Sequence, residues 1–172
     1  GGSVVNQTRA PLPSPRAYHS ATLLQDGRVL VIGGVTTSGY ELYVDVFDPW
    51  KNSWERKANT MPNGRKNHSA ALLPDGRVMV VGGENSIFSA LALVDIYDPK
   101  LDQWTTTGNL TYGRKFHSLS LDPAGRVIVM GGQAGSYMGS TEVFDQPTGT
   151  WQLGASLTTR GLHSAISLLD GR

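Results

Sequence analysis

Arg16–Gly34 reads RAYHSATLLQDGRVLVIGG, and it returns as RKNHSAALLPDGRVMVVGG at Arg65–Gly83 and as RKFHSLSLDPAGRVIVMGG at Arg114–Gly132. The step from Arg16 to Arg65 to Arg114 is 49 residues each time, and a fourth copy, RGLHSAISLLDGR, opens at Arg160. Self-similarity at a period of roughly 50 residues marks a repeat architecture, in which each unit buries its apolar faces against its neighbours. A residue that recurs in every copy therefore belongs first to the building plan. A residue that breaks the pattern is where a site is to be sought.

Within the first copy, His19–Leu24 alternates and runs into Asp26-Gly27, a hairpin signal expected to form a two-residue type I′ turn. Val29–Ile32 follows as a continuous aliphatic run, the pattern of a strand covered on both faces. Gly33-Gly34 ends it, where backbone bends or passes close to a neighbour. A variable stretch leads to a third strand over Leu42–Phe47, Asp48-Pro49 makes a turn, and Ser53–Arg56 forms a fourth, more polar strand. Asp48 to Trp54, Asp98 to Trp104 and Asp145 to Trp151 each span six residues, so this turn is of fixed length. From Trp to the next Arg the gaps are 11, 10 and 9 residues, so the connectors drift. Four antiparallel strands per unit describe one propeller blade. Small residues at Ser20, Ala21, Ser69, Ala70 and Ser118 suit an innermost strand crowded around the axis. The Trp of each outer strand is placed to cover the seam between blades.

Paired glycines after an apolar strand (Gly33, Gly34; Gly82, Gly83; Gly131, Gly132), an aromatic before Asp-Pro (Phe47, Tyr97, and Phe144 before a looser Asp-Gln-Pro), and Trp54, Trp104 and Trp151 resemble the kelch repeat. The resemblance runs from Arg16 onward and implies an all-β, kelch-type β-propeller of four-stranded antiparallel blades, about three and a half of them in this length. The expected division is residues 16–59, 60–109 and 110–155 for three blades and 156–172 for the start of a fourth. Residues 1–15 are then a partial outer strand of a preceding blade or a linker. The Asp-Gly-Arg-Val hairpin is similar to galactose-oxidase-type and secreted bacterial kelch arrays. That implies an extracellular or cell-surface setting, with the cytoplasm as the alternative.

Composition narrows the function classes. The 172 residues carry 15 Lys plus Arg against 14 Asp plus Glu, with no Cys. A near-balanced charge does not supply the clustered basic surface of a nucleic-acid binder, and no apolar stretch reaches the length of a membrane span. The absence of Cys removes disulfides, thiol nucleophiles and Cys-ligated metals.

Arg16 and His19, Arg65 and His68, Arg114 and His117, and Arg160 and His163 recur in each blade. Ring geometry carries such equivalents apart, whereas metal coordination needs convergence. An interblade hydrogen-bond network is expected instead, with Asp45, Asp95 and Glu142 as partners. Tyr18 breaks the repeat, its counterparts being Asn67, Phe116 and Leu162. Tyr18-His19 resembles the adjacent Tyr-His copper ligands of galactose and glyoxal oxidases, so a radical-copper oxidase fragment is the enzymatic alternative. Those enzymes also use a Tyr cross-linked to Cys, which this chain lacks, and no cofactor is expected.

Strand direction puts the loop after the second strand and the connector into the next blade on one face. That face carries the variable segments Val35–Tyr43, Glu84–Leu93 and Gln133–Ser140. Binding residues are expected there at Tyr40, Phe88, Tyr137 and Met138, since loops on a rigid scaffold carry function and aromatics supply contact area. Asn6 and Asn109 open glycosylation sequons in inter-blade segments. The expected function is a non-enzymatic binding or scaffold module for protein or glycan, with a purely structural repeat-array subunit as a further alternative. Open blade edges would favour self-association.

Overall fold

In the computed structural model, which describes residues 9–165, every regular element is a strand. The first repeat holds β1 (Ser20–Leu23), β2 (Val29–Ile32), the short pair β3 (Val35–Thr36) and β4 (Gly39–Tyr40), then β5 (Asp45–Asp48) and β6 (Ser53–Arg56). The second holds β7 (Ser69–Leu72), β8 (Val78–Val81), β9 (Val94–Asp98) and β10 (Gln103–Thr106). The third holds β11 (Ser118–Leu121), β12 (Val127–Met130), the pair β13 (Gln133–Ala134) and β14 (Ser136–Tyr137), β15 (Thr141–Asp145) and β16 (Thr150–Leu153). Three antiparallel four-stranded meanders result, ordered β1-β2-β5-β6, β7-β8-β9-β10 and β11-β12-β15-β16. The innermost strands β1, β7 and β11 lie side by side from one sheet to the next. The expected Asn6 sequon, most of the segment expected as a partial outer strand or linker, and the last residues of the expected fourth blade lie outside the described residues.

The central strands explain the stacking. All four residues of β8 are buried. Val78 and Val80 join Leu30, Ile32, Val44, Val46, Met61 and Tyr97 in a core between the first two sheets. Met79 and Val81 join Val127, Val129, Leu110, Phe144 and Trp151 in a second core between sheets two and three. Alternation along one strand thus feeds two interfaces, as in face-to-face sheet packing. Each outer-strand Trp stands opposite the aromatic before the Asp turn, with ring centroids 5.0 Å apart for Phe47–Trp54, 4.9 Å for Tyr97–Trp104 and 5.1 Å for Phe144–Trp151. Trp151 Nε1 donates across the seam to the Gly108 carbonyl at 3.0 Å, and Trp54 Nε1 does the same to Ala10 at 2.9 Å.

The hairpin turn differs from expectation. Gly27 N donates to Leu24 O at 3.0 Å and Leu24 N to Arg28 O at 2.8 Å, and among Gln25, Asp26 and Gly27 only Gly27 has positive φ, at 81°. The loop is therefore three residues long, a type I turn followed by a left-handed Gly forming a bulge, and not type I′. Leu73–Arg77 and Asp122–Arg126 repeat it. Pro74 and Pro123 occupy the first central position of this loop, which their locked negative φ suits, whereas beside a two-residue turn each would lack the N–H that the ladder needs. The third strands also start later than Leu42, at Asp45, Val94 and Thr141. The Leu42 and Val44 carbonyls accept from Met61 N at 2.8 Å and Lys57 N at 2.9 Å in the connector, because β2 has already ended at the double glycine.

Candidate functional site

The double glycine is the joint between blades. Gly33 and Gly34 have φ of 65° and 94°, and Gly34 N donates to Arg65 O of the next blade at 2.9 Å. A Cβ on Gly33 would lie 2.8 Å from that carbonyl and 2.7 Å from His68 Cε1. The same joint recurs at Gly82 against Arg114 O and His117, and at Gly131 against Arg160 O and His163. Only glycine serves there, for conformation and for space.

Beside the joint, the arginines are neutralised by the third strands. The guanidinium of Arg16 pairs with Asp45, that of Arg65 with Asp95, and Arg114 Nη2 donates to Glu142 Oε1 at 2.7 Å. All three arginine side chains are shielded from solvent. The carboxylates thus go to the arginines. Of the histidines expected to share them, His68 and His163 turn to small hydroxyls instead, and the buried His117 ring has no hydrogen-bond partner among the described residues. His68 Nε2 and the Ser20 hydroxyl share a hydrogen bond of 2.9 Å, as do His163 Nε2 and Ser118. Burial, then the nearby Arg65 charge, pushes His68 down to about 3, and burial with Arg114 does the same to His117. Both are neutral at ordinary pH. His19, which has no preceding blade against it among the described residues, is exposed.

Between each Arg and His lie two residues that reach the loop face. The second has a left-handed backbone in every copy, with φ of 61° at Tyr18, 56° at Asn67, 56° at Phe116 and 58° at Leu162. A ladder links these positions: Asn67 N donates to Tyr18 O at 3.1 Å, Phe116 N to Asn67 O at 3.2 Å, and Leu162 N to Phe116 O at 2.9 Å. The backbone is a continuous rim across the inner strands, and the side chains on it are Tyr, Asn, Phe and Leu. For Tyr, Phe and Leu this conformation is strained, and such strain persists only where neighbours over-determine it.

Polar groups converge against this rim. Glu84 is 3% exposed and accepts from Asn67 Nδ2 at 2.8 Å and from Lys115 Nζ, with Lys66 Nζ at 3.5 Å. Burial raises its pKa, but the bonds from Lys115 and Asn67 and the charges of both lysines prevail and hold the carboxyl below its usual range. The Lys66 ammonium lies 5.5 Å from the Tyr18 ring centroid and 5.2 Å from that of Phe88, and Lys115 lies 5.5 Å from Phe116. Next to them, Phe88, Ser89, Ala90, Lys115, Gln133, Ala134 and Gly135 line a groove of about 510 Å³.

The residues expected to bind are not equivalent. Phe88 is 67% exposed, at the tip of a turn in which Asn85 Oδ1 accepts from Ile87 N and Ser89 N. Tyr137 is exposed but its ring edge rests on Gly161, and Tyr40 is half-buried with its Cβ against Gly64. Met138 is half-buried and its carbonyl accepts Arg160 N at 3.0 Å, so its backbone belongs to the blade joint. Asn109 is exposed on the connector between sheets two and three. Tyr18 and His19 are both exposed, and among the described residues no three or more His, Cys, Asp or Glu side chains come together as a metal would need. On the hairpin face Asp26 and Arg28 pair with each other, as do Asp75 with Arg77 and Asp122 with Arg126.

Lys66, Glu84 and Lys115 escaped the reading of the sequence, although a signal was present. Lys follows the Arg in two copies where the others have Ala17 and Gly161, and Glu84 follows its double glycine where the others have Val35 and Gln133. These are charged departures from the repeat.

A family model described as the KLHDC2/KLHL20/DRC7 Kelch-repeats domain matches residues 4–167. No curated protein sequence matches the chain. Among solved structures, one titled "Structure of YjhT" superposes with a TM-score of 0.75 at 18% identity, over 89% of this chain and 56% of that one. At that identity the likeness concerns the fold alone, and the chain spans little more than half the length of this structural relative.

Proposed function

The chain belongs to the kelch-repeat family, and from that premise we propose that it is a non-enzymatic binding module whose partner docks on the loop face around the rim. One observation carries the reading. The rim backbone has nearly the same conformation in each copy while Tyr18, Asn67, Phe116 and Leu162 differ, so one scaffold presents a different side chain in each blade. Exposed aromatics on such a scaffold bring large contact area at small entropic cost. On the opposite, hairpin face each blade pairs an Asp of the turn with the Arg that follows it, which satisfies the turn and presents little that is distinctive.

The test compares the faces directly. A photoreactive phenylalanine analogue at position 88 or at position 77 is irradiated in extract of the source organism, and captured proteins are then re-tested as purified pairs. A partner captured at position 88 should lose about 1–2 kcal/mol of binding on Phe88→Ala and keep its affinity on Arg77→Ala. Binding abolished by Arg77→Ala and unchanged by Phe88→Ala puts the docking surface on the other face.

A further inference from the structure

Glu84, Lys66 and Lys115 form an unequal set. One buried carboxylate faces two ammonium groups, whose side chains are each 16% exposed. Asn67 supplies a further donor to the same carboxylate. The lysines rest on the faces of Tyr18, Phe88 and Phe116, where the ring quadrupoles hold them in place without cancelling their charge. The cluster therefore carries a surplus positive charge in a partly desolvated setting, where a charge interacts more strongly than in water. Lys115 of this cluster lines the groove between blades two and three, which has Phe88 as an apolar wall and Ala90 and Ala134 beside it. Gln133 and Ser89 add a carboxamide and a hydroxyl along the same groove.

We propose that this groove binds an acidic peptide segment of a protein partner, with a carboxylate on the Lys66–Lys115 pair and an adjoining apolar side chain against Phe88. The proposal rests on the loop face being the docking face and adds the chemistry of the partner. Charge complementarity selects the occupant. A second carboxylate completes two acids against two bases, whereas the phosphates of a nucleic acid would meet Glu84 without the wider basic surface that they need. A neutral glycan would leave the surplus charge without a counterpart.

The test is an amide chemical-shift titration of the full chain with two probes, the acetylated, amidated tetrapeptide Glu-Phe-Glu-Leu and its Gln-Phe-Gln-Leu counterpart. The acidic probe should shift the amides of Lys66, Glu84, Phe88, Lys115 and Gln133 and bind about tenfold more tightly than the neutral one, with affinity falling as salt rises. Lys66→Gln and Lys115→Gln should each weaken it about fivefold. Glu84→Gln should tighten it, because it removes the competing carboxylate; general damage to the fold would weaken it. The dispersion of the amide spectrum reports the fold of each variant. Equal binding of the two probes, or weakening on Glu84→Gln, overturns the acidic-segment proposal and leaves the loop face as docking surface untouched. Shifts confined to Asp26–Arg28 and Asp75–Arg77 overturn both.

Discussion

Arg65 and His68 are buried, while Lys66 and Asn67 between them reach the loop face. In the other copies the outer two positions are again Arg and His, and the inner two become Ala17-Tyr18, Lys115-Phe116 and Gly161-Leu162. Four consecutive residues thus split into a seam that recurs in every copy and a rim whose residue pair differs in each. The seam residues meet groups the architecture itself supplies: a third-strand carboxylate, a serine hydroxyl, the double glycine of the neighbour. The rim residues meet only what the local loop happens to offer. Recurrence in the sequence marks the seam, and departure from recurrence marks the rim.

The largest expected effect sets seam against rim within one tetrapeptide. Arg65→Met leaves Asp95 buried without its ion partner, and breaking a buried pair in this way costs about 3–5 kcal/mol. Restoring neutrality with Asp95→Leu in the same chain should recover most of that loss, since apolar replacement of a buried pair is often close to neutral. Lys66→Ala, one residue away, should cost less than about 1 kcal/mol, as a partly exposed pair does. Urea denaturation midpoints measure all three. Equal losses for Arg65→Met and Lys66→Ala would erase the distinction.

Acid should act on the seam through its histidines. In the unfolded chain His68 and His117 return to the ordinary value of 6.5, while in the folded chain both are depressed to about 3. The unfolded state therefore takes up protons first as pH falls. The stability held above pH 6.5 is lost progressively down to about pH 3. Each histidine approaches a slope of about 1.4 kcal/mol per pH unit inside that window. Carboxylates such as Glu84 and Asp102, whose values are lowered in the folded chain, add their own loss nearer the bottom of it. The upper half belongs to the histidines. Denaturation curves taken at successive pH values should show a falling stability to which His68 and His117 each contribute up to one proton of slope, so that His68→Gln reduces it by one. A flat profile between pH 6.5 and 5 would mean that these rings are solvated in the folded chain.

The strand plan was legible in the sequence because the repeat supplies its own controls. Asp48 Oδ1 accepts from Trp50 N and Lys51 N, and Asp98 Oδ1 from Lys100 N and Leu101 N, so the constant spacing from Asp to Trp is a turn of one shape. The hairpin type is not legible from Asp-Gly in isolation. Pro74, aligned with Gln25, would stand just before a two-residue Asp-Gly turn, where the hairpin needs a backbone N–H that proline lacks. The carboxylate partners were legible as recurring acids on the third strands, but their choice of Arg over His depends on reach and burial, which spacing does not encode. Least legible was the Glu84 cluster, because Asn67, Lys115 and Glu84 come from different segments and meet only once two blades are stacked. The proline and glycine connectors gave no sign that the residue before each His would be left-handed, since Tyr, Phe and Leu argue against that conformation.

The smallest expected effect carries the most information about the rim. Tyr18 is held at φ 61° and is 60% exposed, its described ring contact being the Lys66 ammonium at 5.5 Å. Asn tolerates left-handed backbone far better than Tyr, and the next rim position, Asn67, already uses it at φ 56°. Tyr18→Asn should therefore relieve roughly 1 kcal/mol of strain and forfeit about 0.5 kcal/mol of cation–π attraction. The net change is neutral to slightly stabilising, a rise of no more than about 2 °C in thermal midpoint for a chain of this size. Tyr18→Ala, which keeps the strain and loses the ring, should fall below the wild type. That order, Asn at or above Tyr and Tyr above Ala, is what a residue held against its backbone preference for its exposed side chain would show. If Tyr18→Asn instead lowers the midpoint as far as Tyr18→Ala does, the ring is a packing element, and the seam extends one residue further than the burial pattern indicates.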